Sequence, residues 1–291
     1  MNPFLDWCFK YLFGTEENKP NLIGFLNLML MPQSPIVDVE FMNNESLPSS
    51  PEIKECVFDI VCKDQNGERY LIEVQNGKMI EIKDRIIYYT CRLMDRMGKR
   101  GSGWNYSDIK RVYTICLMNF TFESNPKLRR DIQLYDIDDN TLFSDKINII
   151  MLQLPCLKAE SLGECKANYE LLLYLLKEMQ AGMKTIDELK QEIANTTLPQ
   201  ETKEVFYRVL DTADVGSLSE KDQMRYESAL KNYLDTMSCI EYATVKVREE
   251  GKAEGLAEGK AEGESMAKAS IAKSMKAEGM DVALISRYTG L

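Results

Sequence analysis

Asp59 and Glu73 are acids set inside apolar, β-branched runs, where a strand serving only packing would carry Val or Ile. The stretch from Cys56 to Gln75 reads as a β-hairpin around the polar turn Asp64-Gln65-Asn66-Gly67, with Gly67 suited to the positive φ such turns demand. Register decides what the acids can do. With a three-residue Gln65-Asn66-Gly67 loop, Asp64 faces Glu68 and Asp59 faces Glu73. Gln75, two residues further on, shares Glu73's side of the strand. A two-residue Asn66-Gly67 turn would instead pair Asp59 with Val74 and separate the acids. Carboxylates directly across a ladder repel. A hard divalent cation resolves that repulsion. Mg²⁺ takes oxygen ligands at about 2.1 Å, typically one or two carboxylates with water and phosphate oxygens. It can activate water and neutralise charge developing on a phosphoryl group. The competing reading is an exposed hairpin face with ordinary solvated acids, and the pattern alone leaves both open.

The surrounding elements must hold this patch. Phe4, Leu5, Phe9, Leu12 and Phe13 recur at helical spacing, with Asp6 and Lys10 as an i,i+4 pair in the favourable acid-first order. A second helix is expected over 20–31, closed by Pro32, then a strand around 36–42 and a Pro/Ser-rich loop over 43–51. After the hairpin, 77–98 reads as a long helix with Ile80, Ile87, Tyr88, Cys91, Leu93 and Met94 as its core residues. Strands follow over 111–120, 132–137 and 147–154, and Pro155 closes the region. Strands with an interposed long helix indicate a mixed α/β sheet.

From about 160 to 250 the periodicity is helical, with breaks at Leu198-Pro199 and Val215-Gly216, and the Met and aromatic residues there read as core. Gly251, Gly255, Gly259 and Gly263 recur every four residues among Lys, Ala and Glu, forming a drifting stripe along a helix. Each glycine costs a helix about 1 kcal/mol relative to Ala, so a semi-flexible helical linker is favoured, with self-association as the sharper alternative. The ending from Ile271 breaks at Gly279 and resembles the start of a helix-turn-helix, but the chain given stops where a recognition helix would begin. A docking or dimerising tail is the simpler reading.

Composition narrows the chemistry. There is no histidine, and no Cys-x-x-Cys among the eight cysteines, so zinc sites and histidine catalysis are set aside. Cys56, Cys62, Cys91, Cys116 and Cys156 lie in apolar runs and read as small hydrophobes. Any hydrolysis must use carboxylates, a metal, lysine or tyrosine. No apolar run reaches the roughly 18 residues of a membrane span, and the N-terminus lacks the pattern of a signal peptide; a cytoplasmic protein without membrane partners is expected. The net charge of −10 opposes nucleic-acid binding overall. A local basic patch over Arg92–Gly101, carrying Arg96, Lys99 and Arg100, is the best candidate to overrule it, against the plainer reading of a solvated helix end.

Taken together, the Asp, hairpin and Glu-x-Gln order resembles the metal-site hairpin of the PD-(D/E)XK nuclease superfamily, in its transposase-like branch with the recombination-promoting nucleases. Asp6-Trp7-Cys8-Phe9-Lys10-Tyr11-Leu12-Phe13-Gly14 resembles that group's opening motif, Arg85-x-x-Tyr88-Tyr89 its following helix, and Val112–Phe120 its next core strand. The resemblance implies a restriction-endonuclease-like mixed sheet core flanked by helices over 1–155. An all-helical region would follow, divided into a helical domain (156–250), a Gly/Glu/Lys/Ala repeat linker (251–265) and a helical tail (266–291). It implies a Mg²⁺-dependent DNA endonuclease, with Mn²⁺ as substitute, linked to transposition or DNA recombination. Asp59, Glu73 and the Val74 carbonyl would hold the metal, Asp6 on the first helix would add an acid, and Arg85 would pair with phosphate or with Glu73. The superfamily's usual lysine is replaced by Gln75, which can orient water but is no general base. Lys10 is the substitute, with metal-bound hydroxide as the alternative. The other functional class is an inactive nuclease fold serving as a scaffold or homo-oligomeric partner.

Overall fold

The computed structural model describes residues 1–43, 45–46, 56–98, 103 and 105–291. The strands are β1 (Val39–Phe41), β2 (Glu45–Ser46), β3 (Cys56–Val57), β4 (Ile60–Asp64), β5 (Arg69–Gln75), β6 (Val112–Met118), β7 (Arg129–Tyr135) and β8 (Leu142–Gln153). Six of them form one mixed sheet in the order β1-β4-β5-β6-β8-β7, while β2 and β3 pair separately. β4 and β5 are an antiparallel hairpin; β5, β6 and β8 run parallel, and β7 returns antiparallel along β8. The β5-to-β6 crossover carries helix α3 (Ile82–Asp95), as a parallel connection requires. Most of the Pro/Ser-rich loop expected over 43–51 lies outside the described residues.

The hairpin takes the three-residue loop. Asp64 N–H donates to the Glu68 carbonyl at 3.0 Å, and Gly67 sits at φ +79°. The Asp64 carboxylate accepts the backbone N–H groups of Asn66 and Glu68, each at 2.9 Å. Cα partners then run Lys63–Arg69, Cys62–Tyr70, Val61–Leu71 and Ile60–Ile72. The ladder ends there, and Asp59, in the bend before β4, donates its N–H to the Glu73 side chain just beyond it.

Alternation sorts the two sheet faces. Ile60, Cys62, Tyr70 and Ile72 join the main core with helices α1 (Asp6–Phe13), α2 (Lys19–Leu30), α4 (Asn168–Ala181), α5 (Ile186–Ala194) and α6 (Gln200–Thr212). Phe58, Val61 and Leu71 pack instead with Leu93 of α3 and Met97 in the turn after it. One compact unit covers Met1–Leu230 and a second Lys231–Leu291. The helical stretch expected to start a separate domain at 156 therefore packs, as far as Leu230, within the sheet's unit. Its leucines at 171–173, 175 and 176 share the sheet's core. Helix α7 (Glu220–Ala277) runs unbroken through the glycine repeat. Gly279 at φ +82° ends that turn of chain, and α8 (Val282–Thr289) follows, capped by Asp281. Among the described residues, no helix is long and apolar enough to cross a membrane.

The core face expected of the helix after the hairpin needs correction. α3 starts at Ile82 and buries Ile82, Ile86, Thr90 and Leu93, whereas Ile80, Ile87, Tyr88 and Cys91 are exposed. Apolar residues occur on more than one side of this helix, and its phase is set by the sheet beneath it. Ile87 and Cys91 line an apolar groove of about 440 Å³ with Ile132 and Leu134 of β7. Among the other cysteines read as small hydrophobes, Cys62 and Cys116 are buried.

Candidate active site

Three elements converge on the acidic pair. Asp59 lies in a bend immediately before β4, Glu73 near the end of β5, and α1 approaches from the main-core side. That approach is close. Gly14, at the end of α1, leaves room for Ile60 only because it has no side chain: a Cβ there would lie 3.2 Å from the Ile60 Cγ1. Anchoring α1 against β4 in this way places Asp6 and Lys10 beside Asp59.

Every oxygen of the pair is engaged. Val74 N–H donates to Asp59 Oδ2 at 2.7 Å, and Asp59 N–H donates to Glu73 Oε1 at 3.3 Å. Lys10 Nζ lies 2.7 Å from Asp6 Oδ1 and 3.8 Å from Asp59 Oδ1. Glu73 Oε2 accepts from Gln75 Nε2 and from the Arg85 guanidinium, both at 3.3 Å. Arg85 projects from the first turn of α3, and its guanidinium lies 4.9 Å from the ring centre of Tyr89, one helical turn on. Tyr89 in turn meets Phe58 edge-on at 4.9 Å. An aromatic relay thus links the arginine to the residue preceding Asp59.

Burial dominates the electrostatics. Glu73 is 2% exposed; burial, then the neighbouring Asp59 charge, pushes its carboxyl up to about 8, against the pull of Arg85, the Asp59 N–H and Lys10. Burial likewise pushes Asp59 up to about 6; the Val74 N–H favours its charged form, and the adjacent Asp6 opposes it. Both acids are thus held above their ordinary range by desolvation and by a neighbouring carboxylate, Asp59 for Glu73 and Asp6 for Asp59.

The structure therefore brings Asp6, Lys10, Asp59, Glu73, Gln75 and Arg85 together, and the Val74 backbone with them. Arg96 lies apart from the acids, over the Phe58 ring at 5.4 Å and donating to the Asn43 carbonyl at 3.1 Å. Lys99 and Arg100 lie outside the described residues. Arg85 was legible as a partner of phosphate or of Glu73, and the structure places it on Glu73. Tyr89 and Phe58 carried no assigned role in the sequence. The i,i+4 spacing of Arg85 and Tyr89 was the available signal.

A family model described as PD-(D/E)XK nuclease family transposase matches residues 3–243. The chain belongs to this family. Its mixed sheet, flanked by helices and followed by the long C-terminal helix, is the restriction-endonuclease-like fold of PD-(D/E)XK proteins. Family membership supports a nuclease-type function. No curated protein and no solved structure matches the chain.

Divalent metals are general in such nucleases, and the donor set here is chemically suited to a hard cation. Asp59 and Glu73 offer carboxylate oxygens, with no imidazole or thiolate from a metal-binding cluster to favour a softer ion. Among the described residues, no group of three or more His, Cys, Asp or Glu side chains is gathered to hold a metal. Two carboxylates completed by backbone carbonyl, water and phosphate oxygens are the usual Mg²⁺ arrangement.

Proposed function

We propose that this protein is a Mg²⁺-dependent DNA endonuclease, able to use Mn²⁺, whose catalytic group is Asp59, Glu73, Gln75, Lys10 and Asp6. The observation carrying this reading is the pair of half-buried Asp59 and buried Glu73 at the open end of the β4–β5 hairpin, met by Lys10 from α1. Asp59, Glu73 and the Val74 carbonyl would hold the metal. When bound, it supplies water activation and neutralisation of phosphoryl charge. Lys10, steadied by Asp6, would orient the attacking water. Gln75 fixes the Glu73 carboxylate and offers its amide to the same water. Arg85, Arg96, Lys99 and Arg100 are the proposed DNA contacts, supplying locally the positive charge that the chain lacks overall.

A role in transposition accords with the family's description, and we extend that proposal to DNA recombination and to the cytoplasm. Self-association through the C-terminal helices is supported by α7, where Tyr233, Met237, Ile240, Thr244 and Val247 alternate at spacings of four and three, the seam of a coiled coil. Met237, Ile240 and Val247 are 40%, 50% and 67% exposed. Light scattering of wild type and Ile240→Lys tests it: a dimer or larger for the first and a smaller species for the second are expected.

The decisive assay is cleavage of supercoiled plasmid with Mg²⁺ or Mn²⁺, comparing wild type with an Asp59→Asn variant of equal thermal stability. Cutting by wild type alone is expected. No cutting by either in both metals would favour the scaffold reading, and equal cutting would place the activity elsewhere.

A further inference from the structure

We infer that Arg85 is a resident counter-ion of Glu73, which a divalent cation must displace, and that the released guanidinium then contacts a DNA phosphate. The inference rests on the metal-site reading above and adds a second position for one side chain.

The argument starts from Glu73. Its side chain is 3% exposed, yet one of its oxygens carries two donors at 3.3 Å, the Gln75 amide and the Arg85 guanidinium. A buried carboxylate without a positive partner is costly, and Lys10 is committed to Asp6 and Asp59. Arg85 is therefore the positive group in direct contact with Glu73 in the metal-free site, and the partner of its charged form. A dication on the same carboxylate would stand beside a guanidinium, and two like charges at that spacing repel strongly where water is scarce. Arg85 has somewhere to go. Its side chain is 31% exposed, and its other nitrogen makes only a long 3.8 Å contact with the Met79 sulfur. Tyr89 supplies a ring over which the guanidinium can pivot while remaining near the acids. A planar, permanently charged fork released beside a metal site is well matched to phosphate oxygens.

Metal binding and DNA binding read the two positions separately. Isothermal titration with Mn²⁺ is expected to give about tenfold or more tighter binding in Arg85→Gln than in wild type, because a charge-assisted hydrogen bond no longer has to be broken. Tyr89→Leu, which frees the guanidinium from its ring without removing its charge, is expected to tighten binding severalfold and guards against a folding defect in the first variant. The salt dependence of affinity for a short duplex is measured in EDTA and in Ca²⁺. Wild type and Arg85→Gln should share one slope in EDTA, and the variant should lose about one phosphate contact in Ca²⁺. Unchanged or weaker Mn²⁺ binding in both variants would overturn the exchange and leave Arg85 as an ordinary support for Glu73. Equal slopes in Ca²⁺ would overturn its phosphate contact. Absence of Mn²⁺ binding by wild type would instead remove the metal site itself, and the inference with it.

Discussion

Replacing Glu73 with Gln should change the pH dependence of stability in a calculable direction. In the metal-free protein Glu73 is held at about 8 instead of 4.5, and Asp59 at about 6 instead of 3.8, burial being the leading cause for both. A carboxyl whose folded pKa is raised keeps its proton in the native state after the unfolded chain has lost it. Stability is therefore complete below the unfolded pKa and falls as pH rises, until the folded pKa is passed. The loss runs at about 1.4 kcal/mol per pH unit for one such group. Between pH 6 and pH 8 Glu73 should cost wild type ~2 kcal/mol, and Asp59, half-ionised at pH 6, should add only ~0.4 kcal/mol. Glu73→Gln has nothing to ionise and should lose little over that interval.

Urea unfolding in EDTA at pH 6, 7 and 8 measures this, provided the m-value is unchanged. The buried Met1 ammonium, lowered chiefly by desolvation, adds a slope of opposite sign. It is common to both proteins, so the difference between their profiles is the quantity to read. Mg²⁺ should stabilise wild type more at pH 8 than at pH 6, because binding requires the ionised pair. Parallel profiles for the two proteins would refute the assignment of Glu73 as a protonated buried acid in the metal-free site.

Lys10→Met should lower cleavage by about 10²–10³-fold, the usual range for the loss of one positioned donor. Its melting temperature should barely move, since the Lys10–Asp6 pair is largely solvated; unimpaired cleavage would remove Lys10 from the chemistry. Asp64→Ala leaves the N–H groups of Asn66 and Glu68 without their acceptor and the Tyr70 hydroxyl with only Glu68 Oε2 at 3.4 Å, and should cost roughly 2 kcal/mol or more in a denaturant titration. A loss under ~0.5 kcal/mol would mean that the turn does not depend on this cap. Gly24→Ala would put a methyl 2.5 Å from Val205 Cγ1, where α2 meets α6, and should destabilise by about 1–3 kcal/mol, with Val205→Ala in the same chain recovering part of it.

The candidate site was legible because its determinants are local. Asp64 and Gly67 select the loop, the loop fixes the register, and the register brings Asp59 beside Glu73. Asp6 and Lys10 are likewise neighbours on one helix. The strand boundaries were read less well where pairing substitutes for hydrophobicity. β7 begins at the polar Arg129-Arg130-Asp131, and β8 extends back to Leu142, five residues before its apolar run, because the two strands satisfy each other's backbones as a hairpin.

The phase of α3 was not legible for a different reason, and it bears on the site. Helical periodicity identifies a helix but cannot choose between two apolar faces; the sheet chooses, and it takes Ile82, Ile86 and Leu93. That choice turns Arg85 toward Glu73, with Tyr89 beneath the guanidinium. Had Ile80, Ile87 and Cys91 faced the sheet, as the apolar residues alone suggested, the helix would be rotated and Arg85 would not be presented to the acid in this way. The charge balance of the pair therefore depends on a packing decision made by the α3–sheet interface. Substitutions at Ile82 or Ile86, far from any chemistry of their own, act on the same coordinate as Arg85 itself.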